Sequence, residues 1–193
     1  MASFVKLGKK IIAIGRNYAE HAKELNNAVP KEPFFFLKPT SSYLQNGGII
    51  EIPRGVIAHH EIELGVVIGK GGRDISEAQA DSHIAGYTLA IDMTARNMQD
   101  DVKKRGLPWT AAKGFDTFTP VGDFIPKETV SNPHDLDIWL KEGDLILTGT
   151  PAGVGPVIPG DVITAGLSIP SNTELLASLN FTAEQRNGGY LFQ

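Results

Sequence analysis

Two glutamates separated by one residue are the first feature of this chain whose types and spacing suggest chemistry. Glu61 and Glu63 lie in the stretch HHEIELGVVI, which begins at His59. Side chains on a strand alternate between faces, so both carboxylates would point the same way, about 7 Å apart. The ordinary interpretation is a solvated strand face. The alternative is a metal site, because the apolar residues 66–68 indicate a core, and paired carboxylates entering a core need a cation.

A third acid stands at the end of a second apolar stretch. Asp92 follows Tyr87-Thr88-Leu89-Ala90-Ile91 and precedes Met93-Thr94-Ala95-Arg96. An acid in this position can also stabilise a following helix by interacting with the helix dipole, and this is the structural interpretation of Asp92. As a functional residue, it would join Glu61 and Glu63. Three carboxylates on two strand segments would supply half of an octahedron around one Mg²⁺ ion.

Cationic and amide side chains follow these acids along the chain. Arg96 and Gln99 are three residues apart in a predicted helix, so they share a face, and an arginine fork binds carboxylates in a bidentate manner. Lys113 lies among small and aromatic residues in PWTAAKGF. A lysine in such surroundings is readily perturbed and can polarise a carbonyl or transfer a proton. Each of these residues has a structural interpretation as well.

Histidines provide a second group of candidates. His21 and Glu24 are three residues apart in a segment of helical composition. They form either an exposed helix pair or a histidine base oriented by a carboxylate. His59 and His60 precede Glu61, but Mg²⁺ sites rarely use imidazole. We interpret His59 and His60 as structural residues or as neighbours of the metal ligands.

The elements that must position these residues are mostly short strands. Apolar stretches predict strands, whereas only three short segments have helical character, and strands do not alternate with long helices. The pattern therefore predicts a mainly β fold with short helices (α+β) and argues against a doubly wound sheet. The predicted strands are Lys10–Ile14, Phe34–Leu37, Ile49–Ile52, Glu61–Gly69, Ile84–Asp92, Leu145–Thr148 and Val162–Ala165. The predicted helices are Ala19–Asn27, a short one capped by Ser76, and Thr94–Arg105.

Composition limits the function. The chain has no cysteine, which excludes disulfides, thiolate nucleophiles and cysteine-held metals. Its net charge of −4 gives no indication of a nucleic-acid or membrane partner. The glycine-rich residues 148–156 lack the Gly-Lys-Ser/Thr ending of a phosphate loop and predict a tight turn. Residues 1–18 carry only positive charges, and they are either a targeting segment or the first strand.

Several motifs together resemble one known family. They are, in order, Gly15-Arg16-Asn17-Tyr18 with His21, Phe36-Leu37-Lys38-Pro39, His60-Glu61-Ile62-Glu63-Leu64-Gly65, Asp92-Met93-Thr94-Ala95-Arg96, Gly106-Leu107-Pro108-Trp109-Thr110 with Lys113, and Gly143-Asp144 with Thr148-Gly149-Thr150-Pro151. This order and spacing are similar to those of the fumarylacetoacetate hydrolase-domain family. The most similar branch contains acylpyruvases, oxaloacetate decarboxylases and oxaloacetate tautomerases.

The resemblance implies a β-rich roll of one catalytic domain, usually a homodimer, with one Mg²⁺ or Mn²⁺ ion. It implies that Glu61, Glu63 and Asp92 hold the metal. Substrate contacts would come from Arg96, Gln99 and Thr150. The catalytic residues would be His21, Glu24 and Lys113, with His21 and Glu24 on a lid helix.

The function implied is that of a metal-dependent hydrolase or lyase acting on small 2-oxo acids through a metal-bound enolate. Acylpyruvate hydrolysis, oxaloacetate decarboxylation and oxaloacetate tautomerisation remain open as outcomes, in a mitochondrial or cytoplasmic location. No nucleic-acid or membrane partner is expected. An isomerase or hydratase of catabolic diacids on the same scaffold is an alternative.

One departure from the family pattern lies after Lys141. The family continues there with a hairpin and a helix, but in this chain Glu142-Gly143-Asp144 follows at once. Such a loss would expose apolar surface and strand edges. Residues 167–193 also form an atypical tail, which looks loosely ordered from Asn187 onward. The alternative of a truncated, unstable or non-catalytic variant follows from these departures.

Overall fold

Short strands make up most of the folded chain. The computed structural model describes residues 3–17, 32–140, 154–171, 174–189 and 191–192. The strands are β1 (Ile11–Gly15), β2 (Phe34–Lys38), β3 (Tyr43–Gln45), β4 (Ile49–Ile52), β5 (Ala58–His60), β6 (Ile62–Ile68), β7 (Ile84–Ile91), β8 (Thr94–Ala95), β9 (Thr119–Val121), β10 (Ile125–Pro126), β11 (Asp137–Leu140), β12 (Gly155–Val157), β13 (Val162–Ile169) and β14 (Glu174–Gln185). The α-helices are α1 (Ser3–Leu7), α2 (Glu77–Ala80), α3 (Arg96–Lys104) and α4 (Thr110–Lys113). The prediction of a mainly β fold with short helices is confirmed.

The described strands form four sheets. The largest has the order β10-β7-β9-β3, with β6 added to β7, and a second sheet has the order β11-β13-β14-β4. The smaller sheets are β1-β2 and β12-β5-β8. Most pairs are antiparallel, as expected for strands joined without long helices, and the parallel pairs are β3 with β9 and β4 with β14.

One apolar core draws on both larger sheets. Leu89 and Ile91 of β7 and Ile50 of β4 are fully buried. Leu179 and Phe181 of β14 are each only 1% exposed. Burying each such side chain contributes about 1.5–3 kcal/mol. The acidic candidates lie beside β7, so this core fixes the backbone that presents them.

Element boundaries differ from the sequence prediction where pairing overrides local pattern. The helix predicted from Thr94 begins at Arg96, because Thr94 and Ala95 pair with β5. The strand predicted from Glu61 begins at Ile62. Ser76 precedes α2 as predicted but makes no capping bond to the backbone, since its hydroxyl donates to the Gln79 side chain at 3.1 Å.

The C-terminal region is more ordered than the sequence suggested. Strand β14 was not predicted, although it pairs with β13 on one side and with β4 on the other. Beyond it, Leu191 bridges to Arg54, and the Phe192 N–H donates to the Arg54 carbonyl at 2.9 Å. Phe192 also packs against the core. The expectation of a loosely ordered tail is therefore wrong for these two residues.

Several sequence predictions lie outside the described residues. They are the helix over residues 19–27, the strand over residues 145–148 and the absent segment after Lys141. Residues 1–18 were interpreted as either a targeting segment or the first strand, and residues 11–15 form a strand. None of the helices that the structure describes has the length and apolarity needed to traverse a bilayer.

Docking of the C-terminus gives a testable prediction at Gly55. Gly55 has a φ of +77°, and a Cβ atom there would lie 1.9 Å from the Phe192 carbonyl oxygen. Gly47 has a φ of +82° with nothing within 4 Å of its Cβ position, so it is a matched control. We expect Gly47→Ala to lower the free energy of unfolding by about 1–2 kcal/mol and Gly55→Ala by roughly 1–3 kcal/mol more. Equal losses in urea titrations would show that Phe192 does not dock in solution.

Candidate metal centre

The pairing of β6 with β7 brings the three acids together. Ile62 pairs with Ile91 and Glu63 with Ala90, so the same register places Glu61 opposite Asp92. The Asp92 N–H donates to the Glu61 carbonyl at 2.5 Å, which extends the ladder by one residue. Cross-strand neighbours share a face. The small side chain of Ala90 opposite Glu63 leaves space for the carboxylates.

These acids form a compact set of oxygen donors. Glu61, Glu63 and Asp92 each offer an oxygen, and the three oxygens lie within 4.8 Å of one another. Oxygen ligands at about 2.1 Å in an octahedron are separated by roughly 3–4.2 Å, so the set fits Mg²⁺ or Mn²⁺ after a small contraction. All three donors are carboxylates, which these hard cations prefer. Glu61 and Asp92 are both buried, at 8% and 6% exposure.

Lys113 is the central cation of this cluster. Its Nζ donates to Glu61 Oε2 at 2.8 Å, to Asp92 Oδ2 at 2.5 Å and to Thr94 Oγ1 at 2.6 Å. These three bonds use every proton of the ammonium group. Lys113 is 1% exposed at the end of α4, and burial of an ammonium is tolerated only with such partners. Nearby Asp92 and Glu61 outweigh the effect of burial and raise the pKa of Lys113.

Lys38 and Arg96 complete the ring of cations. Lys38 Nζ donates to Asp92 Oδ1 and to the Phe118 carbonyl, each at 2.6 Å. Burial lowers the pKa of Lys38 in spite of Asp92. Arg96 donates from one terminal nitrogen to Glu61 Oε1 and from the other to Gln99 Oε1 at 2.5 Å. Glu61 and Asp92 are therefore bonded to side chains from β2, α3 and α4.

The pKa values of the two glutamates are shifted in opposite directions. Burial alone would raise the pKa of Glu61, but Lys113 and Arg96 hold it well below its ordinary value. For Glu63, burial and the negative charge of Asp92 raise the pKa well above its ordinary value. Glu61 is thus ionised at neutral pH, whereas Glu63 is the candidate ligand whose ionisation would depend on a bound cation.

The two histidines before Glu61 are outside the donor set. His59 Nδ1 accepts a bond from Arg96 Nε at 3.3 Å, which fixes the guanidinium between His59 and Glu61. Burial and the charge of Arg96 lower the pKa of His59 to about 4, so His59 is neutral and able to accept. Burial also lowers the pKa of His60. Neither histidine is in the donor set, and their interpretation as structural residues or as neighbours of the metal ligands stays a prediction.

Most of the predicted site residues within the described chain converge here. Glu61, Glu63, Asp92, Arg96, Gln99 and Lys113 form one connected group. His21, Glu24 and Thr150 lie outside the described residues. Lys38 and Thr94 were not singled out as site residues. The position of Lys38 at the end of the apolar strand Phe34–Lys38 was the available sequence signal. Its hydrogen-bond partners, however, are 54 to 80 residues away in sequence.

Comparison with known proteins identifies the family. The sequence profile of the fumarylacetoacetate hydrolase C-terminal domain matches residues 10–141. This chain belongs to the fumarylacetoacetate hydrolase family. The candidate metal ligands and both buried lysines lie inside the matched region.

Curated relatives within the family are enzymes by name. A mitochondrial oxaloacetate tautomerase of Arabidopsis thaliana is 49% identical over 214 aligned positions, covering 94% of this chain and 93% of the relative. A mitochondrial oxaloacetate decarboxylase of Dictyostelium discoideum is 48% identical and covers 87% of this chain and 93% of the relative. The first alignment is longer than the 193 residues of this chain, so the relative has positions without a counterpart here.

Solved structures of the family share the fold. The crystal structure of a yeast fumarylacetoacetate hydrolase family protein has a TM-score of 0.82 and 37% identity, covering 100% of both chains. A fumarylpyruvate hydrolase from Pseudomonas aeruginosa, in complex with Mn²⁺ and pyruvate, has a TM-score of 0.76 and 30% identity over 92% of this chain and 90% of its own.

The raised pKa of Glu63 predicts a pH-dependent metal affinity. In the metal-free protein, this glutamate stabilises the fold fully below its ordinary pKa of 4.5, and the contribution is lost as the pH rises toward the raised value. A cation must displace the Glu63 proton, so we expect the affinity for Mg²⁺ to rise by up to about tenfold per pH unit below that value. Calorimetric titrations in buffers of different ionisation enthalpy measure the released proton. An affinity independent of pH would contradict the assignment of Glu63.

Proposed function

We propose that this chain is a divalent-metal-dependent enzyme that interconverts the keto and enol forms of oxaloacetate and acts on related 2-oxo acids. Glu61, Glu63 and Asp92 are the proposed metal ligands. The observation that carries the proposal is the set of three converging carboxylate oxygens, within 4.8 Å of one another, bordered by Lys113, Lys38 and Arg96.

The relatives support the choice of substrate. The two curated relatives described above are named for oxaloacetate, and the Pseudomonas structure contains Mn²⁺ with pyruvate, a small 2-oxo acid. When bound, a divalent cation at the three carboxylates would supply Lewis-acid polarisation of the 2-oxo group. The mitochondrial names of the relatives also support a mitochondrial location for this chain.

The protein residues have separable tasks in this proposal. Arg96, held by Glu61, His59 and Gln99, presents its guanidinium to a substrate carboxylate. Lys113 stabilises negative charge on the keto oxygen while a water molecule accepts the proton of the adjacent carbon, and return of a proton from water to that oxygen gives the enol. Because all three of its protons are donated in this structure, a substrate oxygen would replace one of its acceptors, for which Thr94 is the neutral choice.

Lys38 has a positioning task. It holds Asp92 Oδ1 while Lys113 holds Asp92 Oδ2, so the carboxylate is fixed from both sides. His21 and Glu24 would place a water molecule for acylpyruvate hydrolysis, and Thr150 would contact the substrate carboxylate. Tautomerisation requires a proton transfer between carbon and oxygen but no attack by water on carbon.

A substrate panel tests the proposal. Protein freed of metal with EDTA and then loaded with Mg²⁺ or Mn²⁺ is assayed with oxaloacetate, for enol absorbance and carbon dioxide release, and with short acylpyruvates. We expect oxaloacetate turnover that disappears with EDTA and returns with either metal. Turnover that is unchanged by chelation, or absent with every substrate and metal, would overturn the proposal.

A thermal melt separates the enzyme from the non-catalytic alternative. Oxalate resembles an enolised 2-oxo acid, and a ligand at about one hundred times its dissociation constant adds roughly 2.7 kcal/mol to the free energy of unfolding. We expect a cooperative melt that rises by several degrees only with Mg²⁺ and oxalate together. A chain without a cooperative, responsive melt would be the unstable variant.

A homodimer is the proposed assembly. On the β1–β2 sheet, Ile12 pairs with Leu37 and Ile14 with Phe35, and all four side chains are exposed, Phe35 to 63%. A continuous apolar face of this kind is typical of an interface. Sedimentation velocity tests the proposal, and a monomer at micromolar concentration would exclude a stable dimer.

A further inference from the structure

A cavity outside the candidate metal centre has the features of a binding site. Its volume is about 290 Å³, and it is lined by Arg16, Phe34, Lys103, Gly106, Leu107 and Trp109. None of these residues belongs to the acidic cluster. Ligand sites combine apolar walls with a few convergent polar groups, and the described part of this lining has two aromatic rings and two cationic side chains.

Arg16 is the polar group that faces the aromatic walls. Its guanidinium carbon lies 5.9 Å from the ring centroid of Phe34 and 5.9 Å from that of Trp109. Its backbone has a φ of +52°, which is unfavourable for a side chain with a Cβ atom. In the part of the chain that the structure describes, Arg16 has no acidic partner. Its guanidinium therefore retains hydrogen-bonding capacity for an anion.

Lys103 adds a second positive charge, and the aromatic rings shape the remaining wall. Lys103 lies in the last turn of α3. The rings of Phe34 and Trp109 have centroids 5.1 Å apart and planes at 89°, which gives a two-sided apolar corner. An acid with an apolar body could place its body in this corner and its carboxylate toward Arg16 and Lys103.

The cavity walls belong to the same elements as the two buried lysines. Phe34 and Lys38 are on one face of β2, roughly 13 Å apart along the strand. The Trp109 carbonyl accepts the N–H of Lys113 at 3.0 Å. Phe36 lies between the two regions, 5.5 Å from Trp109 between ring centroids and 5.1 Å from Lys113 Nζ. Oxaloacetate is too short to occupy both regions at once.

We propose that this cavity binds the carboxylate of a small organic acid with an apolar or aromatic body, at a site separate from the metal centre. Arg16 binds the carboxylate, Lys103 adds positive charge at the edge of the cavity, and Phe34 and Trp109 contact the body. The acid is either a free ligand or the far end of a 2-oxo acid longer than oxaloacetate. Only the second source rests on the proposed function.

Binding is tested by the fluorescence of Trp109 in a Trp139→Phe background, which leaves Trp109 as the single tryptophan, because the chain has two. Benzoate is titrated into the full chain in EDTA, with benzamide as the neutral control. We expect a saturable response to benzoate alone. Arg16→Gln and Lys103→Gln should each weaken it by about tenfold, the effect of losing one charge-assisted bond. Arg16→Lys should give an intermediate loss, since it keeps the charge without the planar fork.

Lys104→Gln is the matched control, because Lys104 is also in the last turn of α3 but does not line the cavity. It should change benzoate binding by less than about twofold. A missing response, an equal response to benzamide, or equal losses in Lys103→Gln and Lys104→Gln would overturn the proposal. Arg16 would then be a structural contact that closes the aromatic corner.

Kinetic measurements distinguish the two sources. If the far end of a substrate binds here, Arg16→Gln raises KM for acylpyruvates with a terminal carboxylate and leaves KM for oxaloacetate unchanged. If a free acid binds here, Arg16→Gln leaves every KM unchanged while benzoate binding is lost. If no substrate is turned over, the proposed function fails, but the titration in EDTA still decides whether the cavity binds acids.

Discussion

Replacing Lys113 with methionine should lower the free energy of unfolding of the metal-free protein at neutral pH by about 3–5 kcal/mol, the typical loss when one partner of a buried ion pair is removed. Lys113 is 1% exposed and donates to both Glu61 and Asp92. Methionine has a similar length but offers no donor. The variant therefore leaves carboxylates buried without their central cation.

The loss should shrink in two conditions that neutralise the carboxylates. At lower pH, Glu61 takes up a proton more readily in the variant than in the parent protein, because Lys113 no longer lowers its pKa. With saturating Mg²⁺, the cation replaces part of the missing positive charge, so the variant should be stabilised more by Mg²⁺ than the parent is. Oxaloacetate turnover should nevertheless fall by at least about a hundredfold, since the charge at the keto oxygen is lost.

Lys127→Met is the matched control for this experiment. Lys127 also bonds an aspartate, donating to Asp81 at 2.5 Å, but the Asp81 side chain is 77% exposed. Exposed pairs contribute only about 0–1 kcal/mol. Urea titrations of both variants, with and without Mg²⁺, measure the difference. Similar losses in the two variants would contradict the central position of Lys113 in the site.

Glu63→Gln should separate the metal response from folding. Glutamine has nearly the shape of a protonated glutamate, and burial together with Asp92 already raises the pKa of Glu63 well above its ordinary value. In EDTA we expect the variant to be as stable as the parent protein below about pH 4.5, and increasingly more stable as the pH rises above it, where the parent must either ionise Glu63 or hold its proton at a cost.

The same substitution should weaken Mg²⁺ binding by more than about a hundredfold, because loss of a ligand exceeds the typical loss for a neighbouring residue. The thermal shift with Mg²⁺ and oxalate should disappear with it. Glu128→Gln, which changes an exposed glutamate, should retain the full shift. A Glu63→Gln protein that keeps both the shift and oxaloacetate turnover would overturn the metal site.

Local patterns were sufficient for the parts of this molecule that depend on short-range geometry. Alternation along 61–68 puts Ile62 and Leu64 on one face, and both are buried, but the core expected from residues 66–68 is wrong for Val66 and Ile68, which are 49% and 66% exposed. The apolar stretch before Asp92 predicted β7, and the spacing of Arg96 and Gln99 predicted a shared helix face, on which Arg96 donates to Gln99 Oε1 at 2.5 Å. In each case the relevant partners are within a few residues or on one regular element.

Long-range pairing explains what local patterns missed. Strand β14 was not predicted, because its strand conformation depends on pairing with β13 and with β4. Strand β4 lies more than a hundred residues earlier in the chain. Lys38 was known only as part of a motif, and its acceptors at Asp92 and Phe118 are far along the chain. Its position at the site follows from the docking of the β1–β2 sheet.

The sequence by itself determined the fold class, the family and the three candidate ligands, because strand alternation and motif spacing are properties of neighbouring residues. Only the tertiary structure decided that Lys113 and Lys38 are buried between those ligands, that Glu61 and Glu63 have opposite pKa shifts, and that Arg16 and Trp109 line a cavity. Those properties depend on burial and on charges brought together from separate elements, and no local pattern encodes either.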